Sequence, residues 1–290
     1  MALLEGRVIS RFGQQADVEA GGQVFRCAVR RKLADIVCGD KVIVDTTSPT
    51  PVITKRLPRA TVLKRRLRYQ GLKAVAANLT QVCLVATAET STLVIDKYIV
   101  AVALSDLPVL LVVNKADLFG DAAADALARQ YRPVTKDAII CSAKSGTGMA
   151  TLRERLKNQI SVLVGQSGVG KSTITNALIP DAHADTGEVS ETSGLGKHTT
   201  SVARLYHLPS GGDLIDSPGI REFSLDYVAP DEVQRGFSDI LAYANQCRFR
   251  NCLHVKEPGC AVRAAVQEQA ISPHRYDNYL KILAETGQTV

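Results

Sequence analysis

The sequence has no tryptophan and only two methionines, and aromatic residues make up 5% of its 290 residues. Long apolar runs are also absent: a run such as 107–113 (LPVLLVV) falls far short of the roughly 20 residues that cross a membrane. The first residues, MALLEGRVIS, lack the basic region, apolar core and cleavage site of a signal peptide. A hydrophobic content of 46% with 22% charged residues excludes wholesale disorder. We therefore expect a soluble, cytoplasmic protein of two or three domains with no membrane partner.

Positive charge is concentrated near the N-terminus. Residues 1–66 hold 13 Lys and Arg against 6 Asp and Glu, whereas the other 224 residues hold 22 against 23. Local runs occur at Arg30-Arg31-Lys32 and Lys64-Arg65-Arg66. Such asymmetry favours a polyanionic partner, most simply nucleic acid, although a solvated basic face without a partner gives the same pattern.

The spacing of apolar residues changes twice along the chain. Residues 5–46 form short alternating segments separated by turns, which predicts a small barrel or sandwich. From about residue 80, strand-like and helix-like segments alternate as far as 216, which predicts a mostly parallel, doubly wound sheet. Beyond about residue 226 the pattern is helical with a Cys/His insert. The sequence therefore predicts a multidomain protein: β-rich, then α/β, then mainly α.

The seven cysteines fall into two groups. Four lie in apolar, strand-like surroundings and are expected to be buried thiols: Cys27, Cys38, Cys83 and Cys141. The other three cluster around a histidine: Cys247, Cys252, His254 and Cys260. An odd total without an export signal argues against disulfides and for metal binding. Three thiolates and one imidazole make a closed, structural zinc site, so one Zn per chain is predicted; the alternative is unrelated buried cysteines.

The chain contains a phosphate-loop motif, Gly165-Gln166-Ser167-Gly168-Val169-Gly170-Lys171-Ser172. Thr173, the next residue, is also expected to contact the nucleotide. The motif fits G-x-x-x-x-G-K-[ST] and lies between an apolar strand and a predicted helix, which is the context that it requires. Its glycines let backbone N–H groups approach phosphates, and the helix N-terminus favours their charge. Lys171 is expected to reach the outer phosphates and Ser172 to hold Mg²⁺. The alternative is a glycine-rich turn without a ligand. It does not account for the apolar strand before the motif and the predicted helix after it, so a nucleotide site is predicted.

Two further motifs follow predicted strands: Asn114-Lys115-Ala116-Asp117 and Cys141-Ser142-Ala143-Lys144. They look like the guanine-recognition motifs of GTPases. The Asp117 carboxylate would accept two N–H bonds from guanine, a pair that adenine does not offer. Asn114 would fix the loop, the Lys115 stem would pack on the ring, and the Ala143 N–H would meet the guanine carbonyl. A helix N-cap aspartate gives strings similar to the first motif, but with the phosphate loop the pair predicts GTP and GDP as ligands.

The run Asp216-Ser217-Pro218-Gly219 matches the Asp-x-x-Gly motif of switch II. Asp216 would hold the Mg²⁺ shell through water, and the Gly219 N–H would sense the γ-phosphate; the alternative is a Pro-Gly turn capped by aspartate. In an ordinary GTPase the phosphate loop precedes the two base motifs, whereas here it follows them. Because the site is a spatial constellation, the order predicts a circularly permuted GTPase.

With these motifs in this order, the chain resembles the small ribosomal subunit biogenesis GTPase family (RsgA/YjeQ type) over essentially its whole length. The resemblance implies an OB-fold RNA-binding domain at 1–68, a circularly permuted P-loop GTPase domain at 69–225 and a zinc-binding helical domain at 226–290. It implies GTP hydrolysis to GDP and phosphate, stimulated by the small ribosomal subunit late in that subunit's maturation. The expected partners are this subunit and its rRNA, and the expected state is a monomer.

Residues 194–200 (GLGKHTT) are similar to the switch I motif of that family. One of Thr199 and Thr200 would bind Mg²⁺, and the sequence does not choose between them. Position 220 is Ile where Ras-like enzymes carry the glutamine that orients the attacking water. His198 is the candidate for that catalytic role; otherwise it is a solvent-exposed histidine.

Two other functions compete with a subunit-stimulated GTPase. A kinase or ATPase could use the same phosphate loop, but Asp117 would then not affect nucleotide affinity. Alternatively, the protein is mainly an RNA-binding assembly factor in which GTP hydrolysis only times release. The low aromatic content argues against base stacking as the main mode of RNA binding, and Phe12, Phe25 and Tyr69 are equally good core residues.

Overall fold

The computed structural model describes residues 3–67, 71–179, 203–217 and 223–286. Over these residues the strands are β1 Leu3–Phe12, β2 Gln15–Ala20, β3 Gln23–Val29, β4 Lys41–Asp45, β5 Val52–Arg56, β6 Val62–Leu67, β7 Gly71–Ala77, β8 Gln81–Ala86, β9 Val109–Val113, β10 Asp137–Ile140, β11 Ile160–Val164, β12 Arg204–His207 and β13 Asp213–Asp216. The α-helices are α1 Thr92–Ala103, α2 Ala116–Phe119, α3 Asp121–Tyr131, α4 Met149–Leu156, α5 Lys171–Leu178, α6 Ser238–Ala244, α7 Ala261–Gln267 and α8 Pro273–Glu285. Two 3₁₀ segments cover Arg31–Leu33 and Pro230–Gly236.

Strands β1 to β5 form a closed barrel in the order β1-β2-β3-β5-β4, and a β1–β4 ladder completes the ring. The β3–β5 pair is parallel and the other pairs are antiparallel. Alternate residues point inward, as in β4, where Val42 and Val44 are fully buried. This is the five-stranded arrangement of an OB-fold, which confirms the fold that the family resemblance implied. Of the barrel and the sandwich that the alternating segments predicted, the structure has the barrel.

The central sheet has the order β10-β9-β8-β11-β13-β12. The first five strands run parallel, and β12 pairs antiparallel with β13. Strands β8 (QVCLVA) and β9 (VLLVV) are buried along their whole length because helices cover both faces of the sheet. Helices α1 and α3 pack on one face, and α4 and α5 pack on the other. The predicted doubly wound α/β sheet is confirmed.

The barrel and the central sheet are joined through β1, which contacts both. Its first half pairs with β4, whereas Ser10 pairs with Arg204 of β12. Between these halves the β1–β2 register shifts by one residue at Ile9, and this bulge redirects the strand. Eleven of the described strands therefore form one continuous sheet.

The C-terminal region packs against the outer face of α1. A single hydrophobic cluster contains core residues of α1, such as Ile99, together with Phe237 and Tyr279 from the C-terminal region. Gly236 packs so closely that an added Cβ would lie 2.6 Å from Val100 Cα. Helix α1 is consequently buried between the sheet and the C-terminal region.

Strands β6 and β7 form a separate two-stranded sheet between the barrel and the central sheet. The predicted domain boundary at 68/69 falls between these two strands. This boundary and the one at 225/226 stay predictions. None of the helices in the described ranges is long and apolar enough to cross a membrane.

Candidate nucleotide site and metal centre

The parallel strands bring the predicted nucleotide motifs to one edge of the sheet. Residues 114–117 follow β9, residues 141–144 follow β10 and the phosphate loop follows β11. Strand β13 ends at Asp216 beside β11. Because these four strands are parallel, their carboxyl ends lie on the same side, where α/β sheets bind ligands.

The phosphate loop turns sharply between β11 and α5. Gly165, Gly168 and Gly170 all have positive φ, at +143°, +80° and +96°. At Gly165 an added Cβ would lie 2.2 Å from the Val85 carbonyl oxygen, so the loop requires glycine here. The Lys171 ammonium donates hydrogen bonds of 2.7 Å to the carbonyl oxygens of Gly165 and Gln166. The loop therefore forms a cradle above the first turn of α5, which is the arrangement that binds phosphate groups.

Asn114 connects the phosphate loop to both base motifs. Its side chain is 2% exposed, and its Nδ2 donates to the Val169 carbonyl oxygen at 2.9 Å. Its Oδ1 accepts a hydrogen bond from the Ala143 N–H at 3.1 Å. A Cβ at Gly170 would lie 2.4 Å from Asn114 Nδ2, so the close approach depends on that glycine. One buried amide thus holds three separate loops in register.

The remaining base-motif residues lie around this amide. Lys115 adopts a left-handed conformation (φ 63°), and its stem approaches Gly170. Asp117 lies in the exposed first turn of α2. Ser142 is buried, and its Oγ accepts the Ser145 N–H at 3.1 Å. The other predicted nucleotide-binding residues differ in exposure. Lys144, Ser167 and Thr173 are exposed, Ser172 is half-buried and Ala116 is buried.

Asp216 is half-buried at the end of β13. Burial raises the pKa of its carboxyl, and the nearby Lys171 ammonium offsets part of this rise. The Asp216 carboxylate and the Ser172 hydroxyl are oxygen groups of the kind that Mg²⁺ prefers, and phosphate groups held in the cradle would supply further oxygen atoms. Four predicted site residues lie outside the described residues: His198, Thr199, Thr200 and Gly219.

The Cys/His cluster is assembled between α6 and α7, and its four ligand atoms lie within 4.8 Å of one another. His254 Nδ1 is 3.5 Å from the Sγ atoms of both Cys247 and Cys260, and those two sulfurs are 3.9 Å apart. Tetrahedral Zn²⁺ with bonds of about 2.3 Å to sulfur and 2.0 Å to nitrogen places sulfurs about 3.8 Å apart and S···N pairs about 3.5 Å apart. The donor set and the spacing therefore fit zinc. Burial raises the pKa of the Cys252 thiol to about 12, so metal binding there must displace a proton.

The loop that carries His254 is held at several points. His254 itself has a positive φ of 61°. The Glu257 carboxylate accepts N–H bonds from Leu253 and Val255 at 2.9 and 2.8 Å. Partial burial opposes the charged form of Glu257, but these backbone hydrogen bonds prevail and lower its pKa to about 2. The Tyr276 hydroxyl donates to the His254 carbonyl oxygen at 2.5 Å. These bonds hold the His254 loop through contacts that do not involve the cysteines.

The two predicted basic runs have different surroundings. Arg30, Arg31 and Lys32 are exposed on the barrel and form no ion pair within the described part of the chain. Arg66 instead pairs with Asp226 at 3.1 Å. Phe12 is 40% exposed at the end of β1, with the Arg26 guanidinium 4.9 Å from its ring centroid. The first run and Phe12 are therefore exposed on the barrel, and these four residues are called its open face below.

Polar contacts between the barrel and the β12–β13 hairpin were not found from the sequence. Arg7 Nη1 lies 2.5 Å from Asp213 Oδ2. The His207 ring contacts Asp213 Oδ1 at 2.7 Å through Nδ1 and Glu19 Oε2 at 3.0 Å through Nε2. These residues are distant in sequence and belong to no motif, so only the folded chain reveals them.

The fold and the site define a P-loop nucleotide-binding protein of circularly permuted order, because base motifs that precede the phosphate loop in sequence meet it in space. A family model described as RsgA GTPase matches residues 56–226. The small ribosomal subunit biogenesis GTPase RsgA 1 of Vibrio vulnificus is 43% identical over 98% of this chain and 84% of that protein. The RsgA protein of Pseudomonas putida is 45% identical over 98% of this chain and 86% of that protein.

Solved structures show the same relationship. YjeQ from Thermotoga maritima superposes with a TM-score of 0.80 at 32% identity and covers 98% of both chains. YloQ, described as a circularly permuted GTPase, gives a TM-score of 0.76 at 27% identity over 98% of this chain and 95% of that one. The chain therefore belongs to the RsgA GTPase family and is a GTP-hydrolysing enzyme.

Proposed function

We propose that this GTPase acts in the cytoplasm, as a monomer, in the late maturation of the small ribosomal subunit, which stimulates its hydrolysis of GTP to GDP and phosphate. The observation that carries the proposal is the Asn114 amide, which holds a guanine-type base loop against a phosphate loop. The names of the relatives supply the subunit as partner.

The proposed guanine contacts come from the two base motifs. Asp117 accepts the N–H groups of guanine, and the Lys115 stem covers the ring. The Ala143 N–H, which donates to Asn114 Oδ1, is shared with the guanine carbonyl. Ala116, Ser142 and Lys144 complete these two loops. Selection against adenine follows because an adenine ring would leave the Asp117 carboxylate without its two donors.

The proposed phosphate contacts come from the backbone N–H groups of residues 165–173. In this arrangement Lys171 leaves its two carbonyl partners and binds the outer phosphates. Ser172 and Asp216 hold Mg²⁺, which neutralises phosphate charge when bound. Thr199 or Thr200 completes the metal shell, and Gly219 reads the γ-phosphate. His198 positions the attacking water, because Ile220 has no group that could do so.

The barrel is proposed to contact rRNA through its open face. The unpaired charges of Arg30, Arg31 and Lys32 suit a phosphate backbone, which attracts cations without regard to base sequence. Exposed Phe12 adds one surface on which a base can stack.

The Cys/His cluster is proposed to hold one structural Zn²⁺ per chain through Cys247, Cys252, His254 and Cys260. All four coordination positions are filled by protein atoms, so none is left for catalysis. Elemental analysis of the purified protein is expected to give one zinc per chain, and chelation is expected to loosen residues 247–260.

A second candidate is an RNA-binding assembly factor in which hydrolysis only times release. The open basic face of the barrel favours it, since that face is independent of the nucleotide site. A variant that binds GTP without hydrolysing it separates the two: continued subunit maturation supports the second candidate.

The first test is phosphate release from GTP and from ATP at fixed salt, with and without purified small ribosomal subunits. We expect the protein to release phosphate from GTP and not from ATP. We expect the rate of GTP hydrolysis to rise sharply when subunits are added. A rate of GTP hydrolysis that does not change when subunits are added would contradict the proposed ribosomal partner. Hydrolysis of ATP would contradict the proposed role of Asp117 in base selection.

A further inference from the structure

Gln234 lies at the Nε2 edge of the His254 ring, on the side opposite the cysteines. It belongs to the 3₁₀ segment Pro230–Gly236, and its Oε1 is 3.3 Å from His254 Nε2. The opposite ring nitrogen, Nδ1, faces the sulfurs of Cys247 and Cys260 at 3.5 Å. One imidazole therefore contacts the cysteine cluster through one nitrogen and an amide outside that cluster through the other.

The orientation of the Gln234 amide follows from its second contact. Its Nε2 donates to the Asp231 carbonyl oxygen at 3.0 Å. A carbonyl oxygen only accepts hydrogen bonds, so the NH₂ end of the amide must face Asp231. The Oε1 end then faces His254, and an amide oxygen also only accepts. The shared hydrogen bond therefore requires the proton on His254 Nε2.

A proton on Nε2 leaves His254 Nδ1, the nitrogen that faces the cysteine sulfurs, available to a metal. A neutral imidazole carries one N–H, so a proton on Nε2 leaves the Nδ1 lone pair free. Because the His254 side chain is 1% exposed, water does not replace an acceptor that is lost. Without Gln234, a buried Nε2–H would have no partner, and the tautomer with the proton on Nδ1 would gain in population.

We propose that Gln234 is a positioning residue of the metal centre, which fixes His254 in the tautomer that binds the metal through Nδ1. The proposal rests on the zinc site proposed above. Partners of this kind orient a ligating histidine and raise its affinity for the metal.

The position of Gln234 also relates the metal centre to the GTPase part of the chain. Two residues further on, Gly236 packs directly against Val100 of α1. The amide that orients His254 is thus carried by a segment that packs on α1, whereas the four predicted metal ligands lie further along the chain, between Cys247 and Cys260.

The test compares zinc affinities of the full-length protein and three variants by competition with a chromophoric chelator. Gln234→Leu keeps the size of the side chain but removes the acceptor, and we expect zinc to bind about 10- to 100-fold more weakly. Gln234→Glu restores an acceptor and is expected to bind at least as tightly as wild type. Gln246→Leu is the control, since that exposed amide donates to the Ala242 carbonyl oxygen and, within the described residues, makes no hydrogen bond to His254.

Each outcome decides the proposal. If Gln234→Leu binds zinc within twofold of the wild-type affinity, the proposal is wrong. It is also wrong if Gln234→Glu binds zinc no more tightly than Gln234→Leu, because the loss in affinity would then come from altered packing of the side chain. If the leucine variant does not fold, ¹⁵N NMR of histidine-labelled, zinc-loaded wild type decides: the proposal requires a protonated Nε2 and a coordinated Nδ1. Wild type that binds no zinc would instead overturn the metal site itself.

Discussion

Arg275 Nη1 lies 2.5 Å from Asp96 Oδ1, and both side chains are at most 2% exposed. The same guanidinium donates from Nε to Asp239 Oδ2 at 2.7 Å and stacks 4.7 Å above the Phe237 ring centroid. Asn278 donates a further bond of 2.8 Å to Asp96 Oδ2. Residues of α8 thus fasten the C-terminal region to α1 through a buried, fully paired polar network.

Breaking this network is expected to destabilise the protein strongly. In Arg275→Leu the Asp96 carboxylate stays buried without its charged partner, which costs about 3–5 kcal/mol. Urea unfolding followed by circular dichroism measures the loss. Arg129→Leu is the control, because Arg129 pairs with Asp125 on the surface and its loss should cost about 0.5 kcal/mol or less. Equal losses in the two variants would contradict the assignment.

Asn114→Ala is expected to weaken GTP and GDP binding to a similar extent. The change leaves the buried Val169 carbonyl oxygen without its partner, at about 1–3 kcal/mol, whereas water can reach the half-buried Ala143 N–H. Calorimetric titration should therefore give dissociation constants raised on the order of 10- to 100-fold or more. Asn245→Ala, on an exposed helix end, serves as control. An unchanged affinity would show that the three loops hold together without the amide.

Asp117→Asn is expected to change the preferred base from guanine to xanthine. The amide offers one donor and one acceptor where the carboxylate offers two acceptors, and xanthine has a carbonyl where guanine has its amino group. Affinity for GTP should fall by a factor of about 100 or more, while affinity for xanthosine triphosphate rises. Asp121→Asn, the same substitution at the exposed start of α3, should leave both affinities unchanged.

The junction between barrel and hairpin is expected to depend on pH through His207. Partial burial lowers the pKa of this imidazole, but the Asp213 hydrogen bond and the Glu19 charge prevail and raise it above the usual value. A raised pKa means that the charged form stabilises the fold fully below the unfolded-state pKa of about 6.5, and that this contribution is lost as the pH rises through the folded-state value.

The check is the free energy of unfolding of wild type and His207→Gln at about pH 6 and about pH 9. The wild-type advantage should be larger at the lower pH and should shrink at the higher pH. Since the ring is 56% exposed, solvent screening keeps the effect small. An advantage that is equal at both values would rule out the charged histidine as the cause.

The candidate nucleotide and metal sites were predicted from local patterns. The glycines of the phosphate loop, the strands before each motif and the spacing from Cys247 to Cys260 all lie within short windows, where sequence and structure are closely linked. The alternation within residues 5–46 predicted a barrel or a sandwich, but it did not decide between them or give the strand order.

Long-range contacts could not be predicted in this way. The Arg275–Asp96 pair joins residues 179 positions apart, and no periodic pattern marks either of them. One signal was nevertheless present: α1 reads TLVIDKYIVAVA, which is apolar on nearly every side. A helix of this kind must be covered on both faces, so its composition already indicated a further layer outside the α/β sheet.

The shared sheet has a consequence for any shortened form of the protein. Strand β1 occupies the outer side of β12, so removal of the barrel would leave the backbone N–H and C=O groups of β12 as an open edge. Open edges are templates for pairing with other chains. We therefore expect a GTPase part expressed without residues 1–56 to self-associate through β12 more than the full chain does.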